Sequence, residues 1–113
     1  MKIVTPSDDA EIRNLLETPS NIILDFYADW CGPCKVITKS FQAIKKDNLF
    51  KDITLIKIDI GKFNDLAKEY NVKSLPTVVY TSDDSGERKN LKTKIGSMNK
   101  SDLIQLIGTV YEK

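Results

Sequence analysis

The chain has 113 residues, enough to bury a real core in one domain without a metal or a covalent staple. Lysine and arginine number 17 against 16 aspartate and glutamate with no histidine, a net charge of +1 that gives no electrostatic ground to expect nucleic acid or an anionic membrane as partner. No segment nears the ~18 apolar residues of a membrane span, and MKIVTPSDD reaches Pro6 and two acids before any run apolar enough for a signal peptide. A cytoplasmic address is therefore expected. In a reducing cytosol, two cysteines read as catalytic or metal-binding before structural.

Taken in chain order, Lys2 to Val4 is a short apolar strand. Ser7 is expected to cap a first helix, with Asp8 and Asp9 at its positive end and Ile12, Leu15 and Leu16 on one face; Pro19 closes it. Asn21 to Ala28 (NIILDFYA) is branched and aromatic enough for a strand covered on both faces. Past Cys34, the spacing of Ile37, Phe41 and Ile44, backed by Val36 and Ala43, predicts a helix to about Asn48. Asp52 to Ile60 is a third strand, and Asn64 to Tyr70 a short helix with Leu66, Ala67 and Tyr70 apolar, ended by Asn71 as a left-handed cap. Thr77 to Thr81 and Lys89 to Ile95 are two last strands joined by the polar turn SDDSGE. Asn99 then caps a final helix, with Asp102 three residues on and Leu103, Leu106, Ile107 and Val110 as its buried stripe.

The order βαβαβαββα implies an α/β domain spanning residues 1–113, a mixed sheet with helices on both faces. No repeat, linker or low-complexity stretch interrupts it. In such a fold, sites gather at the carboxyl ends of parallel strands, where Cys31 falls.

The stretch DWCGPCK, Asp29 to Lys35, carries both cysteines and the one tryptophan. A structural disulfide over so short a loop contributes only roughly 2 kcal/mol and a cytosol tends to reduce it. A closed zinc site wants about four Cys or His ligands, so two cysteines without histidine would need two chains to share the metal. The redox reading uses every residue. Backbone N–H groups and the dipole at a helix start favour a thiolate at Cys31, the attacking species in disulfide exchange. Pro33 suits the first turn because its missing N–H is no loss, and Gly32 allows the turn and leaves room for an incoming chain. Cys34, held in that turn, can resolve a mixed disulfide at high effective concentration. Asp25, mid-strand among apolar residues, is expected to have a raised pKa and to accept the Cys34 proton; the plainer reading is an exposed strand residue. Lys57 on the neighbouring strand could pair with Asp25 or be a surface lysine. Pro76 reads on its own as a strand-start proline.

LDFYADWCGPCK, LIKID, SLPT and KIGSM together resemble the thioredoxin family along nearly the whole chain. The resemblance implies a thioredoxin fold, α/β, with a central five-stranded mixed sheet flanked by four helices, and a cis peptide before Pro76. It implies an enzyme, a thiol-disulfide oxidoreductase that reduces protein disulfides through Cys31 and Cys34 and is recharged by an NADPH-dependent thioredoxin reductase. Trp30, Leu75, Pro76 and Gly96 would then bind substrate, with Leu75 offering its backbone to an extended segment. A monomer with neither a bound cofactor nor a metal is expected. Departures from the family pattern are Tyr27 in place of a frequent second tryptophan, Lys39 in place of a helix-kinking proline, Gly61 in place of a frequent aspartate, and the longer SDDSGERKN turn. Gly-Pro between the cysteines favours the reducing end of the family over a glutathione-linked or isomerase-type domain. The cysteine pair together with Asp25 and Pro76 argues against a module kept only for binding.

Overall fold

Apolar runs of period two and helical stripes of period 3.6 settle against each other as a sheet covered on both faces. The structure is a computed structural model and describes residues 1–111. In chain order it runs β1 (Lys2–Val4), α1 (Asp9–Leu16), β2 (Asn21–Tyr27), α2 (Gly32–Lys46), β3 (Ile53–Asp59), α3 (Asn64–Glu69), β4 (Thr77–Ser82), β5 (Lys89–Ile95) and α4 (Lys100–Val110). The five strands lie in the order β1-β3-β2-β4-β5. β1, β3 and β2 run parallel, β4 runs antiparallel to β2, and β5 pairs antiparallel with β4 in a hairpin.

Alternation along the central strand β2 decides which helix covers which face. Ile22, Leu24 and Phe26 pack with Ile12 of α1 and with Leu66 and Ala67 of α3. Ile23, on the opposite face, packs with Ile37, Phe41 and Ile44 of α2 and with Leu103 and Ile107 of α4. Each such side chain stabilises the fold by on the order of 2 kcal/mol when fully buried. Asp25 occupies the next position after Ile23 on the α2 face, so a polar residue there requires a reason.

Every expected element is present, with ends that differ by a few residues. Ser7 is not the cap of α1: Asp8 is, its Oδ1 accepting from the Glu11 N–H at 2.9 Å, while Glu11 Oε1 reaches back to the Ser7 N–H at 2.8 Å. The reciprocal pair satisfies two N-terminal donors, and the carboxylate suits the positive helix end. α2 stops at Lys46, before Asn48, which takes the left-handed conformation that ends the run. Asn71 ends α3 in the same conformation, and Asn99 caps α4 by accepting from the Asp102 N–H at 2.8 Å. Leu106 and Val110 are only half-buried, so Leu103 and Ile107 carry that helix's packing. The long turn after β4 is anchored by Arg88, whose guanidinium donates to the carbonyls of Leu16, Thr18 and Ser20 in the α1–β2 connection.

Candidate active site at the start of α2

The chain leaves the carboxyl end of β2 and enters α2 within a few residues. The Cys31 N–H donates back to the Ala28 carbonyl at 3.2 Å, closing a tight turn through Asp29 and Trp30. Cys31 is the N-cap of α2, in extended backbone, and its Sγ accepts from the Cys34 N–H at 3.2 Å. The sulfur thus occupies the place of a capping oxygen, where a helix end offers unpaired donors. Pro33 lies in the first turn. Gly32 is not among the residues with positive φ, so the turn makes no demand for glycine. A Cβ added there would meet nothing within 4 Å, so what Gly32 provides is open space. A disulfide joins Cys31 and Cys34, with Cα atoms 5.3 Å apart.

Strand register brings the remaining expected residues to this corner. Phe26 of β2 faces Thr77 of β4, which carries Leu75 and Pro76 past the end of β2 beside the cysteine turn. The Leu75–Pro76 peptide is cis. Gly96 has φ +99°, a conformation that favours glycine, and its N–H donates to the Pro76 carbonyl at 2.9 Å. On the β3 side, the Ile60 N–H donates to the Tyr27 carbonyl at 3.0 Å. Trp30, Cys31, Pro33, Ile60, Val72 and Leu75 line an open groove of about 500 Å³. Ile60 and Val72 were not among the expected site residues. Ile60 follows β3 at the sheet's carboxyl edge and Val72 follows α3, but an isolated apolar residue in such a place reads as core.

Both cysteines are nearly buried. Cys31 is only 5 % exposed and Cys34 2 %, whereas Trp30 is 80 % exposed. Exposure does not distinguish the two thiols, but direction does. Cys31 lines the groove with Trp30 and Leu75, while Cys34 lines a separate cavity of about 340 Å³ with Tyr27, Thr38, Gln42 and Lys57.

Asp25 is fully buried, which removes the surface reading, and neither carboxyl oxygen has a hydrogen-bond partner among the described residues. Burial pushes its pKa up to about 6, against a smaller lowering by the Lys57 charge. Lys57 is its register partner across β2 and β3 but does not form an ion pair with it among the described residues. The ammonium instead donates to Thr38 Oγ1 at 2.7 Å and lies 4.3 Å from the centre of the Tyr27 ring. Thr38 was also missed, although it follows Cys34 by one helical turn and so shares its face. No cluster of three or more Cys, Asp or Glu side chains able to hold a metal occurs among the described residues.

A family model described as Thioredoxin matches residues 3–109 of the chain. The chain belongs to the thioredoxin family. It is 36 % identical over 107 residues to the thioredoxin of Mycoplasmoides gallisepticum, a match covering 95 % of this chain and 99 % of that one. The thioredoxin of Mycoplasma genitalium is 36 % identical over 96 residues, covering 85 % of this chain and 88 % of its own. Among solved structures, oxidised mitochondrial thioredoxin 3 of Saccharomyces cerevisiae superposes with a TM-score of 0.74 at 30 % identity, covering 95 % of this chain and 94 % of that one. As a member of the thioredoxin family, this protein is a disulfide oxidoreductase with Cys31 and Cys34 as its redox pair. Family membership implies disulfide-bearing proteins as substrates and a reductase as partner in general terms. No helix among the described residues is long and apolar enough to cross a membrane.

The raised Asp25 value carries a stability consequence. A carboxyl with a folded pKa of about 6 and an ordinary value of 3.8 favours the native state when protonated. That contribution is present in full below about pH 4 and is lost as pH rises through about 6. Asp25→Asn never carries the buried charge, so its stability advantage should be smallest near pH 4 and reach about 3 kcal/mol near pH 8. Urea unfolding of both oxidised proteins across that range measures it; equal stability at the alkaline end would mean that the charge is accommodated at no cost.

Proposed function

We propose that this chain is a general protein-disulfide reductase acting as a cytoplasmic monomer, one domain recharged by an NADPH-dependent thioredoxin reductase. The observation that carries the reading is the capping geometry at Cys31, whose sulfur receives a backbone N–H at 3.2 Å at the start of a fifteen-residue helix. A donor and a helix dipole aimed at one sulfur favour its thiolate, the species that attacks disulfides. In the proposed cycle the reduced Cys31 thiolate attacks one sulfur of a substrate disulfide. A Cys31–substrate bond forms as the substrate bond breaks, and the departing substrate thiolate takes a proton from solvent. Cys34 then gives its proton to the Asp25 carboxylate and attacks the Cys31 sulfur, releasing the second substrate thiolate. Two electrons have passed to the substrate, and the Cys31–Cys34 disulfide remains. The reductase returns it to the dithiol with two electrons from NADPH.

Supporting residues take roles consistent with their places. Trp30, Leu75, Pro76 and Gly96 form the substrate surface around Cys31: Trp30 presents an apolar face and the Leu75 backbone a partner for an extended chain. Asp25, with its pKa near neutrality, is suited to accept and later release a proton. Lys57 tunes that acceptor through its charge.

Reduction of the interchain disulfides of insulin, followed by turbidity with thioredoxin reductase and NADPH, should proceed well above the uncatalysed rate. If neither that reductase nor dithiothreitol supports turnover, the reductase reading fails. The two thiols separate in a trapping experiment. Cys34→Ser, reduced and incubated with cell extract, should accumulate mixed disulfides that dithiothreitol dissolves, whereas Cys31→Ser should capture almost none; equal capture by both would reverse or void the assignment. For Asp25, stopped-flow rates near pH 7 should show Asp25→Asn slowing release of reduced substrate about 10-fold or more while attack by Cys31 changes less, in keeping with loss of a general base. Two unchanged rates would leave Asp25 with no part in the chemistry.

A further inference from the structure

The Lys57 ammonium has three acceptors within its compass on the α2 face of the sheet and engages two of them. One is Thr38 Oγ1, at 2.7 Å, and another is the Tyr27 ring, with its centre 4.3 Å away. The third is Asp25, directly in register with Lys57 on the neighbouring strand. Adjacent strands lie about 5 Å apart and in-register side chains share a face, so the lysine stem can turn toward either side. A buried carboxyl without a donor among the described residues, beside an ammonium held by neutral groups, is an unfavourable arrangement unless those neutral groups keep the cation where it is.

Charged and titratable groups face Asp25 from each element packed around it. β3 contributes Lys57, β2 Tyr27 and β4 Tyr80, whose buried hydroxyl also lacks a partner among the described residues. α2 contributes the cysteine pair, and Lys35 and Lys39 at the rim of the cavity that Cys34 and Lys57 share. Of these, only Lys57 acts on the Asp25 carboxyl strongly enough to lower its pKa, which leaves the position of that one ammonium as the adjustable quantity.

We propose that Thr38 is a positioning residue for the exchange reaction: its hydroxyl, together with the Tyr27 ring, holds the Lys57 ammonium clear of the Asp25 carboxyl, so that the carboxyl stays unpaired and free to take the Cys34 proton. The proposal rests on the reading of Asp25 as proton acceptor. Thr38 stands one helical turn after Cys34, so the residue that sets the acceptor's surroundings is carried on the same helix face as the thiol that is deprotonated. Without the hydroxyl, the ammonium loses its oxygen acceptor and turns to the carboxylate, and a paired carboxylate is a weaker base.

The test is the titration of Asp25 itself, followed by the carboxyl carbon resonance in oxidised protein labelled with carbon-13 aspartate. Thr38→Val keeps the shape and removes the hydroxyl, and it should lower the Asp25 midpoint by about one pH unit, the order expected when a unit charge moves into contact with a carboxylate at a protein-like dielectric. Thr38→Ser should restore the parent value. In a Lys57→Met background, Thr38→Val should produce no shift, because the effect is carried by the ammonium. A midpoint in Thr38→Val that stays in place or rises, or a fall that persists without Lys57, overturns the proposal. The readout needs no turnover, so it is independent of whether Asp25→Asn slows substrate release. Failure of the positioning role and failure of the Asp25 base are therefore told apart.

Discussion

Asp25 places a carboxyl inside the core, where the stability of the fold depends on its protonation. It sits on the central strand, on the face covered by α2, at a position its neighbours Ile23 and Val78 fill with apolar side chains. An isoleucine there would add to the core. A carboxyl with no donor among the described residues instead makes the native state less stable as pH rises through its pKa, because burial disfavours the charged form. That cost keeps the group's pKa close to neutrality, where it can both accept and release a proton. The surrounding packing is strong enough to tolerate it: the two hydrophobic clusters on either face bury Ile, Leu and Phe side chains almost completely.

The same corner shows how register does work that local sequence cannot. Cys31, Pro76, Gly96 and Ile60 come from four separate segments, yet gather at one edge of the sheet because β2 and β3 end, and β4 begins, near Tyr27. The Gly96 N–H ties the start of the last connection to the Pro76 carbonyl, and the Ile60 N–H ties the end of β3 to Tyr27. A one-residue slip of either neighbour would turn Lys57 or Val78 to the opposite face and break up the site.

Much of this was readable in advance, for physical reasons that differ from residue to residue. Period and composition gave the nine elements because both faces of β2 are covered and each helix has a clear stripe. The exchange of Ser7 for Asp8 as the α1 cap could not be read, because both residues are good caps and only Glu11 reaching back decides between them. WCGPC announced its chemistry because few roles need two thiols at a helix start. Pro76 and Gly96 were placed by family likeness alone, since a proline before a strand and a glycine after one are ordinary. Lys57, open in the sequence to pairing with Asp25 or to being a surface lysine, stands in register beside Asp25 but turns its ammonium to Thr38. The competing acceptor, Thr38, lies on a helix nineteen residues away in the chain, and no strand or helix period links the two.

The two cysteines illustrate why accessibility is a poor guide to which thiol meets a substrate. Both are nearly buried, and an assignment from exposed area alone would rest on a difference of 5 % against 2 %. Their surroundings differ far more. Cys31 lines an open groove whose walls are Trp30, Pro33 and Leu75. Cys34 lines the opposite cavity, walled by α2 side chains and by Tyr27 and Lys57. The groove beside Leu75 lies on the Cys31 side, and the cavity beside Cys34 lies on the lysine side of the helix. The two thiols thus face different surroundings within a single turn of α2. Helix geometry makes that separation possible, because residues three apart in the first turn lie close enough to bond yet face different neighbours.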